Sequence, residues 1–264
     1  MVASPSTQNT PAAVHRRHHV TTAGHGRQPM LFAHGFGCDQ RMWRYVAPAF
    51  EPSYHTILFD YVGSGRSDRA AYDPARYRTL DGYAADVLDV VHALDLRDVV
   101  LVGHSVSATI GLLAAIRAPE RFARLVLVSP SPCFVNDPPD YVGGFERADL
   151  EALLDLMDRN HLGWAAYLGP VVAGTAGRPA VAAELTDSFC ATDPVIARQF
   201  AEATFFTDAR AALPCVPVPA LVLQCTADHL APVSVGEYVA RRLPHGTLRV
   251  LAATGHAPHL SAPE

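Results

Sequence analysis

The run Val99-Val100-Leu101-Val102 passes through Gly103-His104-Ser105 straight into the apolar stretch Thr109–Ile116. β-Branched side chains are crowded in a helix and fit a pleated strand, so the first segment reads as a strand. The second, apolar on nearly every side, reads as a buried helix. Such a strand-to-helix turn points to a parallel sheet, whose crossover connections lay helices over both faces. Met30-Leu31-Phe32-Ala33, Thr56-Ile57-Leu58-Phe59 and Leu125-Val126-Leu127-Val128 keep the same strand rhythm. Between them Leu80, Tyr83, Ala84, Val87, Leu88 and Val91 recur at the i, i+3, i+4, i+7 spacing of an amphipathic helix, with Thr79 as its N-cap. The fold class is therefore α/β, with a mainly parallel sheet and crossover helices.

The rhythm breaks at Asn136-Asp137-Pro138-Pro139-Asp140. From there to about Thr207 the pattern is helical without strands. Leu150, Leu153, Leu154 and Met157 share one face, Val181, Leu185 and Phe189 another, and Asp193-Pro194 marks a helix start. Strand character resumes at Ala220-Leu221-Val222-Leu223-Gln224, followed by a helix near Val233–Arg242 and a strand near Leu248–Ala252. The expected organisation is a disordered tail over 1–14, the first part of an α/β core over 15–135, a helical lid over 136–207 and the second part of the core over 208–264. The chain stops at Ala262-Pro263-Glu264, where a sheet of this type normally closes with one more helix. That implies an incomplete sequence with one sheet face partly uncovered.

With 49% hydrophobic and 18% charged residues, 264 residues suffice for a large buried core. A formal charge of −5 argues against a nucleic-acid binder, and the one basic cluster, Arg16-Arg17-His18-His19, reads as part of a solvated tail. Five scattered cysteines without CxxC spacing indicate free thiols in a reducing compartment. There is no apolar signal-like segment at the N-terminus and no run approaching the roughly 18–20 residues of a membrane span. A cytoplasmic protein is expected.

The chemistry gathers on a few residues. In Gly103-His104-Ser105-Val106-Ser107 a serine sits where a strand turns sharply into a helix, with small residues at −2 and +2 letting the two pass closely. The commoner motif ends in glycine, so Ser107 makes a tighter fit. A serine hydroxyl needs a neighbouring base to take its proton. In the order serine, acid, histidine, the base falls late in the chain: His256, in the loop after the last strand, is favoured over its near neighbour His259. Asp228, after the strand at 220–224, is the acid that would orient the imidazole. The glycine-containing loop His34-Gly35-Phe36-Gly37 offers the Phe36 amide, and the turn after Ser105 the Val106 amide, as donors to a developing oxyanion. Gly63-Ser64-Gly65 lacks the spacing of a phosphate cradle. His15, His18, His19 and His25 lack a structured setting, so neither metal nor cofactor is expected. Phe145, Trp164 and Phe205 are candidates to line a pocket under the lid, although packing between lid helices accounts for each equally well.

Several of these segments together resemble a known group. Phe36-Gly37-Cys38-Asp39-Gln40, Phe59-Asp60-Tyr61-Val62-Gly63-Ser64-Gly65, Thr79-Leu80-Asp81-Gly82-Tyr83, Gly103-His104-Ser105-Val106, Ser131-Pro132-Cys133, Gly143-Gly144-Phe145-Glu146 and Asp193-Pro194-Val195-Ile196-Ala197-Arg198-Gln199-Phe200 are similar to the RsbQ-like α/β-hydrolases of bacteria. The likeness runs from about His18 to the end, and the plant karrikin and strigolactone receptors look like relatives sharing serine at the last elbow position. It implies an α/β-hydrolase core, a V-shaped lid of four helices over a closed apolar cavity, and a triad at Ser105, Asp228 and His256. It also implies either hydrolysis of a small apolar ester- or lactone-like compound, or ligand-dependent signalling with slow turnover. In the RsbQ-like case the partner is a PAS-domain phosphatase of energy-stress signalling.

Overall fold

The computed structural model describes residues 10–174 and 179–264. Helix α1 (Pro11–Arg17) comes first, capped by Thr10, whose side chain accepts from the Ala13 amide. It is followed by strands β1 (Thr21–Ala23), β2 (Gln28–Ala33), the short helix α2 (Ala47–Phe50), β3 (Tyr54–Leu58), α3 (Leu80–Ala93), β4 (Val99–His104), α4 (Val106–Arg117) and β5 (Phe122–Val128). Four helices then run without an intervening strand: α5 (Arg147–Arg159), α6 (His161–Ala173), α7 (Pro179–Ala191) and α8 (Pro194–Phe205). The chain returns to the sheet with β6 (Ala220–Ala227), α9 (Val233–Arg242), β7 (Gly246–Thr254) and a last turn, α10 (Pro258–Ser261).

Among the described residues the sheet has seven strands in the order β1-β3-β2-β4-β5-β6-β7. All neighbours are parallel except β1, which pairs antiparallel with β3. β4 is buried at every position, which is why its sequence shows no polar alternation. One core layer lies between the sheet and α3, α4 and α9, around Leu31, Ile57, Val87, Leu101, Ile110 and Val235. A second includes the opposite-facing Phe32, Val100 and Val102 and continues into the four-helix cover through Leu154, Trp164, Leu185 and Phe189.

The amino-terminal expectation needs correction. Residues 1–9 lie outside the described residues, but Pro11–Arg17 is a helix and Val14 and His18 are buried. Val14 inserts into the main core and His18 Nδ1 stands 3.3 Å from the Asp60 carbonyl, so this stretch is packed rather than a tail. β1 also escaped sequence reading: three exposed residues carry no alternation to detect. None of the described helices is long and apolar enough to cross a membrane.

Candidate active site

The turn from β4 into α4 is tight enough to distort the backbone. Ser105 adopts φ 55° and ψ −121°, a region that side-chain-bearing residues rarely enter and that costs about 1–3 kcal/mol. The surroundings hold it there: the Ser105 amide donates to the Val128 carbonyl (2.8 Å), and its own carbonyl accepts from Ala108 (2.9 Å). Glycine is required at 103, because a Cβ there would lie 2.4 Å from the Ser107 carbonyl oxygen.

Two loops beyond the sheet bring the partners. Asp228 directly follows β6. One of its carboxylate oxygens accepts from the amides of Leu230 (2.8 Å) and Ala231 (3.1 Å), leaving the other to accept from His256 Nδ1 at 2.7 Å. His256 follows β7 after Gly255, whose φ of +94° and close approach to the Ala173 carbonyl exclude a side chain. On the far side of the ring, Nε2 lies 2.7 Å from Ser105 Oγ. Because Nδ1–H is committed to the carboxylate, Nε2 is the bare nitrogen that receives the serine hydroxyl. Burial alone would raise the Asp228 carboxyl, but the imidazole beside it and the two amides outweigh that and hold it below the usual carboxylate range. The arrangement is competent to strip a proton from Ser105 while keeping the imidazole in one tautomer.

The amides of Phe36 and Val106 have no protein acceptor among the described residues. Val106 opens α4, where the first amides of a helix lack an internal partner. Phe36 lies in the turn closed by the Cys38 amide donating to the Gly35 carbonyl (3.3 Å). The space in front of Ser105 is a small apolar cavity, about 30 Å³, bounded by Phe36, Cys38, Phe134, Leu168, Val172, Phe189, Thr204, Phe205 and Leu230 together with His104 and His256. Burial pushes the Cys38 thiol up to about 12, so it stands in this wall as an inert apolar group.

Residues 30–264 match the sequence model of the alpha/beta hydrolase family. The chain belongs to that family. It is 37% identical over 252 residues to the karrikin insensitive 2 receptor CA of Petunia hybrida, spanning 95% of this chain and 93% of the relative. It is 38% identical over 245 residues to the strigolactone esterase RMS3 of Pisum sativum, spanning 92% and 91%. Among solved structures, a hydrolase from Oleispira antarctica superposes with a TM-score of 0.95 at 46% identity, covering 96% of this chain and 93% of that one.

Sequence reading was least successful at the inserted helices. Of the three aromatic residues expected to line the pocket, only Phe205 borders the cavity. Trp164 is fully buried one layer behind it, with its ring against Phe36 (5.9 Å between centroids) and Phe189 (5.5 Å). Phe145 stands behind Phe134, 6.4 Å away. Leu168 and Val172 on α6 and Phe189 on α7 line the space because of how their helices are rotated by packing, and Phe134 and Leu230 because of where their loops run; neither feature is legible in local sequence. His259 lies on the Trp43 ring (4.4 Å between centroids), away from the serine. His18, Asp86 and Asp89 bring one ligand atom each within 4.8 Å of one another. Arg76 already donates to both carboxylates (2.7 and 2.9 Å) and Arg17 to Asp89 (3.2 Å), so the cluster is an ion-pair network with its cations built in.

Proposed function

We propose that the chain is a serine hydrolase acting on a small, largely apolar ester or lactone. The observation that carries this reading is the unbroken chain from Ser105 Oγ through the His256 ring to Asp228, with both hydrogen bonds at 2.7 Å, beside an apolar cavity. Ser105 Oγ attacks the carbonyl carbon as His256 Nε2 takes its proton, and the carbonyl electron pair moves onto oxygen facing the Phe36 and Val106 amides. Collapse of this intermediate breaks the acyl–oxygen bond, and His256 returns the proton to the leaving alcohol. A water molecule, deprotonated by the same imidazole, then releases the acid and restores Ser105. Each oxyanion donor in such a pair typically contributes about 10²–10³ in turnover.

Intact-mass analysis after treatment with a fluorophosphonate tests this. The native protein gains one phosphonyl group and Ser105→Ala gains none. Equal labelling of both would remove Ser105 from the nucleophile's role.

A second reading is favoured by the cavity itself. About 30 Å³ holds on the order of one or two water molecules, so a larger ligand requires some of its walls, among them the cover residues Leu168, Val172, Phe189 and Phe205, to move. Coupling of occupancy to lid position suits a ligand-binding signalling module with slow hydrolysis, and a relative named as a receptor supports it. In that case the protein partner is a PAS-domain phosphatase in a cytoplasmic stress response, as the RsbQ-like resemblance implies; the five cysteines are all free, in keeping with a reducing compartment. Rapid, saturable cleavage of nitrophenyl esters favours the metabolic enzyme. A few turnovers per hour with ligand-dependent shifts in melting temperature and binding of the phosphatase favours the module.

A further inference from the structure

Ser107, the residue that departs from the commoner glycine of this turn, is fully buried, as are Tyr61 and His34. Its hydroxyl donates to the His34 carbonyl at 2.5 Å. That commits its only hydrogen, so the Tyr61 hydroxyl, 2.8 Å away, must be donating to Ser107 Oγ. His34 is held twice more. Its Nδ1 lies 2.9 Å from the Gly35 carbonyl, which only accepts, so Nδ1 carries the hydrogen. The bare Nε2 then accepts from the Tyr61 amide at 3.3 Å. Burial, the largest influence on this ring, lowers its pKa and keeps it neutral, as both bonds require.

The geometry points to Ser107 as a positioning residue that joins the two halves of the oxyanion site, an inference that rests on the serine-hydrolase reading above. Ser107 lies one residue after Val106 on the first turn of α4, and His34 lies two residues before Phe36. One hydroxyl thus ties the element bearing one free amide to the loop bearing the other. The donation to His34 makes the link, and acceptance from Tyr61 only satisfies that buried hydroxyl. Glycine or alanine would leave the Tyr61 hydroxyl and the His34 carbonyl facing each other's empty partner in a closed interior. Pre-set donors are effective because they need no rearrangement as charge develops, so loosening the loop acts on the transition state more than on substrate binding.

The test is saturation kinetics of the full chain with nitrophenyl acetate, alongside inhibition by a trifluoromethyl ketone whose adduct places an oxyanion in the same position. Ser107→Ala should lower kcat roughly 10- to 100-fold with KM changed by less than about threefold, and weaken the ketone by the same factor as kcat. Ser107→Gly, which restores the ordinary residue of such turns, should behave alike and serves if the alanine variant does not fold. Tyr61→Phe leaves the Ser107–His34 bond intact and should keep kcat within about threefold of the native protein. The inference is overturned if Ser107→Ala retains native kcat, if its defect lies in KM alone, or if Tyr61→Phe loses as much as Ser107→Ala, provided Ser105→Ala is inactive. Should Ser105→Ala hydrolyse the ester as the native protein does, the parent reading falls, and this link with it.

Discussion

His104 Nε2 donates to the backbone carbonyl of His256 across 2.8 Å, joining the residue before the candidate nucleophile to the main chain of the candidate base. Since a carbonyl only accepts, the hydrogen is on Nε2 and Nδ1 is bare, facing Gly35, where a Cβ would approach it to 2.4 Å. The ring is neutral: burial, reinforced by His256, pushes it down to about 3.

That shift has a measurable sign. Unfolding returns His104 to its ordinary value of 6.5, so between pH 6.5 and about 3 the unfolded chain binds a proton the folded chain refuses. Stability therefore falls as pH is lowered through this window. His259, also depressed by burial, adds in the same direction. In His104→Phe the dependence of the urea midpoint on pH should be shallower than in the native protein. The loss of the bond to His256 should also cost about 1–3 kcal/mol at pH 7. An unchanged pH slope would show that His104 is already charged in the fold.

Asp228→Asn should leave the fold in place and disturb the His256 tautomer, since an amide NH2 toward Nδ1 favours hydrogen on Nε2. In the serine-protease template the same exchange costs about 10⁴ in turnover, and a kcat loss of about 10³–10⁴ is expected here with nitrophenyl acetate. A loss below tenfold would mean that the imidazole is oriented by something else.

Phe189 closes the cavity over Gly37, where any Cβ would lie 2.3 Å from its ring. Phe189→Ala should cost about 3–5 kcal/mol in urea unfolding, the usual range for a buried phenylalanine. It should also raise kcat/KM for butyryl and hexanoyl esters relative to acetyl. An unchanged chain-length profile would place the acyl group elsewhere.

Arg44 makes a two-pronged ion pair with Glu184 on α7, both bonds at 2.6 Å, linking cover to core. The side chains remain 36% and 41% exposed, so water and salt screen the attraction. Arg44→Ala should change stability by no more than about 1 kcal/mol, with less effect still at high salt. A larger loss would show that the pair, rather than Phe189 and its neighbours, holds the lid.

The legible part of this molecule was what local sequence controls. The strand at 99–104, the turn at Ser105 and the N-caps at Thr79 and Asp193 each follow from a few adjacent residues. Chain order placed Asp228 and His256 beyond β6 and β7, and the structure brings both to Ser105. What stayed illegible depends on contacts between distant segments. Val14 and His18 lie in a stretch whose composition suggests a tail, yet both are buried, Val14 in the main core and His18 beside Phe59. Trp164 and Phe205 are both buried aromatic residues of the cover, and only helix rotation decides which one faces the serine. Backbone-mediated links such as His104 to the His256 carbonyl leave no residue-type signature at the accepting end.

The His256 amide donates to the Val172 carbonyl on α6 at 2.8 Å, so the imidazole-bearing loop is tethered to the roof as well as to the floor. Any movement of α6 away from the sheet must either give up that tether or drag the His256 loop with it. The position of the cover and the position of the imidazole are thereby mechanically geared to one another.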